Sequence, residues 1–308
     1  MSSLRSAFAA VDRFVYPVAP AERLAMLRLA VGAFAFIYLS VRFRSFTSLG
    51  RMSREFLPVG PLSWMTAPLP HAVLVTLSAA LLVLALGFCL GIRYRIVGPA
   101  FAMLLLFLTT YRSSFGMKFH TENLLFWQVA VLAVAPAADT LSIDARGRAR
   151  PEAHGRYGWA PRAAAVLMTV TYVLAGVAKI RLGGDGWLSG EILQAQIAYD
   201  NLRKIELGSI HAPLGVLLVP HLGALSWLAW LTLAVELGAP LALKGGRFAL
   251  VWCLFSWGFH FAVLATMAIA FAYPLSGVPY LAFFRAERLL ERRPFRSLAR
   301  LFSRAAPA

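Results

Sequence analysis

"HAVLVTLSAALLVLALGFCL", His71 to Leu90, runs for twenty residues with no Asp, Glu, Lys or Arg. A helix of that length is about 30 Å long, the thickness of a bilayer's hydrocarbon core. Working outward, further apolar blocks follow at Leu24 to Leu39, Ile96 to Tyr111, Thr121 to Ala135, Pro161 to Ile180, Ala224 to Leu243 and Phe248 to Met267. A last block, "AIAFAYPLSGVPYLAFF", is broken by Pro274, Gly277 and Pro279, so it reads as a kinked eighth span or a re-entrant piece. The 308 residues are 59% hydrophobic and only 14% charged, with a mean hydropathy of +0.68. The fold class expected is all-α: a polytopic integral membrane helical bundle of about eight transmembrane helices.

The formal net charge of +16 raises nucleic acid as a partner, but the basic residues sit between and after the apolar blocks and form no soluble basic face. They read as topogenic, and no nucleic-acid partner is expected. With the N-terminus inside and eight crossings, nineteen of the thirty Lys and Arg fall on the inner side and nine in the outer segments, Arg28 and Lys179 lying within spans. That asymmetry predicts both termini cytoplasmic, in a multi-pass protein of the cell membrane, the inner membrane in a bacterium. Three regions follow. Residues 1–20 place Leu4, Phe8, Val11 and Val15 at helical spacing, as in a helix lying on the membrane surface. Residues 21–284 form the transmembrane domain. Residues 285–308 are a basic cytoplasmic tail that reads as a lipid-headgroup anchor or, alternatively, a partner-binding helix.

Polar residues inside apolar blocks are the candidates for chemistry. In "YVLAGVAKIRLGGDGWLSGEIL", Tyr172, Ala175, Gly176 and Lys179 share one helical face, with Lys179 in the last turn of the fifth span. Such a lysine either snorkels to the headgroups or, packed behind small residues, serves as a base. His120 opens the fourth span on a face with Asn123 and Trp127. His260 lies beyond the middle of the seventh span in register with Cys253 and Ser256, and either hydrogen-bonds a neighbouring helix or does chemistry. Glu236, deep in the sixth span, calls for a structural partner, an arginine or a backbone group. Cys89 and Cys253 both lie in apolar blocks and suggest neither a disulfide nor a metal site. His211 and His221 are a weak metal signal, and no metal is expected.

These residues carry a resemblance. "YVLAGVAKIRLGGDGWLSGEIL" resembles the Tyr, Ala-Gly, Lys, Trp, Gly signature of the membrane domain of vitamin K-dependent gamma-glutamyl carboxylases and their bacterial relatives, the HTTM (horizontally transferred transmembrane domain) family. "FHTENLLFWQVAVLAVAPAADTLSID" is similar to the family's histidine-led fourth-span region, and "FHFAVLATMAIAFAYPLSGVPYLAFF" to its late histidine-bearing span. The resemblance implies that Lys179 is the base that deprotonates reduced vitamin K, or another quinol, with His120 assisting. The quinol then reacts with O2 to give an epoxide and a strong base, which takes a gamma proton from a peptide glutamate before CO2 adds. Tyr172, Trp187, His260 and Trp127 stand as the residues that would line the quinol site. The implied partners are membrane lipid, a lipid quinol and an exported peptide or protein.

The stretch from Lys179 to Trp187 is longer and richer in glycine than the carboxylase's. The chain also ends soon after the last span, where the carboxylase carries a large soluble portion, so full peptide carboxylation is not expected. Two other functions stand beside the enzyme: a non-enzymatic partner in the maturation of, or immunity to, an exported peptide, using the loop from Arg181 to His221; and a small-solute transporter with a path lined by Glu236 and His260. If the enzyme reading holds, Lys179→Ala should abolish activity with stability nearly unchanged, and Lys179→Arg keeps the charge without the base.

Overall fold

The computed structural model describes residues 2–52, 56–116, 120–292 and 302. Among these, helices are the regular elements, joined by turns and irregular segments, with one isolated bridge between Ala19 and His154. It divides into two compact units, residues 1–164 with 285–308, and residues 165–284.

In the first unit, α1 (Ser2–Val15) precedes α2 (Ala21–Ser48), α3 (His71–Leu90), α4 (Tyr94–Ser113) and α5 (His120–Val134). Pro20 and Pro70 stand immediately before α2 and α3, where a fixed φ starts a helix and a missing N–H costs nothing. Helix α2 packs on α3 and α5, α3 on α4, and α4 on α5. Leu24, Leu27, Leu74, Leu81, Phe88, Phe101, Leu105 and Leu108 fill the interior, while Val83 and Ile96 are each 71% exposed. Helices that are apolar inside and out belong in lipid.

Two polar clusters interrupt this core. Arg28, fully buried, donates to the carbonyl oxygens of Ala137, at 2.7 Å, and Leu141. Arg112 pairs with Glu122, which also accepts from the Tyr38 hydroxyl at 3.0 Å.

The second unit comprises most of α6 (Trp159–Leu188), then α7 (Glu191–Glu206), α8 (Pro213–Leu218), α9 (Leu222–Leu237), α10 (Gly246–Met267) and α11 (Ala272–Leu275). The segment from Arg181 to His221, expected as an outer loop, is mostly helical. A search for long apolar runs passes over "EILQAQIAYDNLRKIE" because it is polar, yet its residues are good helix formers.

Among the described residues, five helices are long and apolar enough to cross a membrane: Ala21–Arg51, His71–Leu90, Tyr94–Ser113, Gly155–Leu188 and Gly246–Met267. Two shorter apolar helices, Thr121–Val134 and Leu222–Leu237, lie where the fourth and sixth spans were expected. The eighth block is no spanning helix: it forms α11 and a 3-10 stretch, Val278–Phe283, because Pro274 and Pro279 deny it helical hydrogen bonds.

After this block the chain returns to the start of α2. Arg23 donates to both oxygens of Glu287, at 2.9 and 2.7 Å, so the two ends of the transmembrane region meet at one end of the first unit. Leu289, Leu290 and Phe302 of the tail pack on Ala25, Met26, Leu29, Leu141 and Ala286. These tail side chains are therefore partly buried against the protein. The rest of the tail, residues 293–301 and 303–308, lies outside the described residues.

Candidate functional site

The site grows from one close helix approach in the second unit. A Cβ at Gly176 would lie 2.9 Å from Leu237 Cδ2 and 3.1 Å from Glu236 Cβ, so glycine gives α6 and α9 a close approach that a larger residue would crowd. One turn further along the same face, Lys179 reaches Glu236 and the two form an ion pair. Glu236 is 2% exposed, and its Oε2 has no hydrogen-bond partner.

Lys179 also has aromatic neighbours. Its Nζ lies 5.0 Å from the centroid of Trp187 and 5.8 Å from that of Phe259, within cation-π range of both. Trp187 gets there because α6 is broken at Gly184, whose φ of 48° and ψ of −132° are open only to glycine. The break folds the last turn back, and Trp187 packs on Ala229 and Leu233 of α9. Lys179 thus sits before a kink inside α6, where the sequence placed it in a final turn.

A hydrogen-bond chain lies on the same helix face as Lys179. Ser256 donates to the Tyr172 hydroxyl at 2.6 Å, which leaves the phenol proton for His260 Nε2, also at 2.6 Å. Tyr280 lies 3.0 Å from Ser256 Oγ and completes the series Tyr280, Ser256, Tyr172, His260. This donor order puts the ring proton of His260 on Nδ1. Nδ1 is buried and has no hydrogen-bond partner, as is Trp187 Nε1. Buried polar atoms in proteins are nearly always satisfied, and three of the seven unpartnered ones among the described residues, Glu236 Oε2, His260 Nδ1 and Trp187 Nε1, belong to this cluster.

A family model described as the HTTM domain matches residues 16–285. The chain belongs to the HTTM domain family. Comparison with curated proteins and with solved structures finds no match.

The HTTM match begins at Tyr16, after α1, and closes at Arg285, so it takes in every element from α2 to the last 3-10 stretch of the second unit. With its apolar helices, the match makes this a multi-pass integral membrane protein. Within the HTTM domain, Tyr172, Lys179, Trp187 and His260 all lie in the second unit and share the contacts described above. His120 and Trp127 lie on α5 in the first unit. Trp127 is 45% exposed, with its ring 5.1 Å from that of Phe126; the side chain of His120 lies outside the described part.

Sequence reasoning looked for an arginine or a backbone group beside Glu236, and the partner is Lys179. The signal was present: an intramembrane acid and an intramembrane base in consecutive apolar blocks are each costly alone and cheap together. Tyr280 gave no such signal, because its place depends on how a proline-broken segment folds.

Proposed function

We propose that this HTTM-domain protein is a quinol-linked membrane oxidoreductase, an epoxidase or a carboxylase-like enzyme, with the Lys179–Glu236 pair as its base. One observation carries the reading. Lys179 lies within cation-π range of two aromatic rings and pairs with a carboxylate whose other oxygen is unpartnered. The residues suit a flat aromatic ligand bearing oxygens: the rings of Trp187 and Phe259 would pack on its faces, while His260 Nδ1 and Trp187 Nε1 would donate to its oxygens. A reduced quinone bound there would supply, with O2, the oxidative chemistry, and CO2 would be a co-substrate only if carboxylation follows.

The protein's part is to hold a proton in the right place. In an apolar setting a lysine–carboxylate pair can pass one proton between its members, leaving an amine and an acid that carry no charge. The amine form of Lys179 has the lone pair that base catalysis requires. Glu236 keeps the withdrawn proton within the pair, and the chain through Tyr172 fixes His260. The arginine asymmetry supports a cytoplasmic N-terminus, which would put Lys179 toward the outer leaflet.

The deciding experiment is oxygen-dependent epoxidation of a reduced naphthoquinone by purified protein in lipid, comparing the wild type with Lys179→Ala and Lys179→Arg. Turnover by the wild type that is lost in both variants supports the reading. A well-folded wild type without turnover overturns it.

One observation favours a second reading, a docking partner for an exported peptide. From α7 onward Tyr199, Leu202, Ile205, Leu207 and Ile210 are all exposed, an apolar surface a peptide could cover. In that case Lys179 is dispensable for activity and these residues are not.

A further inference from the structure

The loop "APAADTLSID" contributes nothing to the site above, yet in the first unit it forms one wall of a cavity of about 750 Å³ at the N-terminal end of α4. Four arginines line that cavity, Arg93, Arg95, Arg148 and Arg156, against two carboxylates, Asp139 and Asp144.

Both carboxylates are already engaged. Asp144 accepts the backbone N–H groups of Arg93 and Tyr94, at 2.9 and 2.8 Å, which caps α4 and holds Arg93 at a φ of 43°. Asp139 accepts from the Tyr157 hydroxyl at 2.8 Å and pairs with Arg156 at 3.2 Å. Among the described residues, Arg93, Arg95 and Arg148 have no ion-pair partner. The cavity is thus an arginine cradle with an unmet demand for negative charge, and guanidinium forks match phosphate oxygens.

The rest of the lining says where the phosphate comes from. Ile96, Pro99 and Val134 form the other wall, and Ile96 and Val134 are 71% and 72% exposed. Between them α4 and α5 touch closely, since a Cβ at Gly98 would lie 3.1 Å from the Ala133 carbonyl oxygen. A charged recess opening onto an exposed apolar seam between two apolar helices suits an amphiphile with an anionic head and acyl chains, and does not suit a free ion.

We infer that this cavity binds an anionic phospholipid, its phosphate held by Arg93, Arg95 and Arg148 and its chains lying along Ile96 and Val134. The assignment is independent of any activity in the second unit.

The test is native mass spectrometry of the purified protein offered phosphatidylglycerol and phosphatidylcholine with matched chains. The wild type should retain one phosphatidylglycerol in at least tenfold preference. Arg95→Gln with Arg148→Gln should erase that preference, while Lys244→Gln with Arg247→Gln, which removes the same charge from exposed residues elsewhere, should leave it intact. Exposed arginines without partners can be replaced without unfolding the chain, which an unchanged helical circular dichroism spectrum would verify. The proposal is overturned by an undiminished preference in the first double variant or by equal loss in the second. It is overturned as well if glycerol phosphate, with the same head and no chains, displaces the lipid at equal concentration.

Discussion

Lys179 and Glu236 hold each other in place, and this changes what their variants should do. The sequence led to the expectation that Lys179→Ala would leave stability nearly unchanged. The structure argues for the opposite, since the substitution strands an acid that is 2% exposed. Breaking one partner of a buried pair costs about 3–5 kcal/mol, so Lys179→Ala should lower the thermal midpoint in detergent markedly. Lys179→Met combined with Glu236→Gln should recover most of the loss, because no unpaired charge remains. Lys179→Arg is the cleaner probe of chemistry. It keeps the pair and the fold, cannot act as a base at neutral pH, and should cut quinol turnover by about 100-fold or more if Lys179 is the base. Full turnover in Lys179→Arg would exclude that role. Tyr172→Phe makes a related point, because it leaves His260 Nε2 without its donor and takes from Ser256 one of its two hydroxyl partners, Tyr280 remaining. It should cost about 1–3 kcal/mol and reduce turnover through misplacement of His260, whereas Ser256→Ala should cost less.

At the scale of elements, the approach of α6 to α9 is what makes the pair. Gly176→Ala should cost about 1–3 kcal/mol, since the new methyl meets Leu237 and Glu236 inside van der Waals distance. The same change at Gly223, where an added Cβ meets nothing, should be close to silent on thermal unfolding. If the two variants melt alike, the helices are not in contact as described. The small-residue face of α6 could be read from the spacing of Tyr172, Ala175, Gly176 and Lys179, and the apolar helices from block length alone, because both follow from local periodicity. Three things could not. The pairing of Lys179 with Glu236 depends on which helix faces Gly176. The inward turn of Trp187 depends on the single positive φ at Gly184. The end of the chain misled for a different reason: "AIAFAYPLSGVPYLAFF" has the hydropathy of a span, but its prolines leave it only short helical turns.

At the scale of the molecule, the first unit is built from the two parts of the chain that flank the second, and Arg23, in the first turn of α2, joins them through Glu287, which lies beyond the apolar helices. Burial raises the Glu287 carboxyl, but the two hydrogen bonds from Arg23 and its charge outweigh that, and the group is held below the usual carboxylate range. A carboxyl whose folded pKa is depressed stabilises the fold above its unfolded value, about 4.3, and loses that contribution as pH falls through the folded value. Side chains 21% and 18% exposed still feel solvent, so about 1 kcal/mol is a reasonable size for the clasp. Glu287→Gln should therefore melt below the wild type at pH 7. The gap should begin to narrow as pH drops below the unfolded value and close as it falls through the folded one, because a protonated glutamic acid and a glutamine offer Arg23 much the same neutral partner. Taking the difference between the two proteins cancels every other titrating group, so the measurement isolates this contact. A gap that does not narrow at all as pH falls from 7 to 3 would mean that Glu287 acts through packing, with its charge irrelevant. No gap at pH 7 would mean that the ends of the chain are held by Leu289, Leu290 and Phe302 against α2 alone.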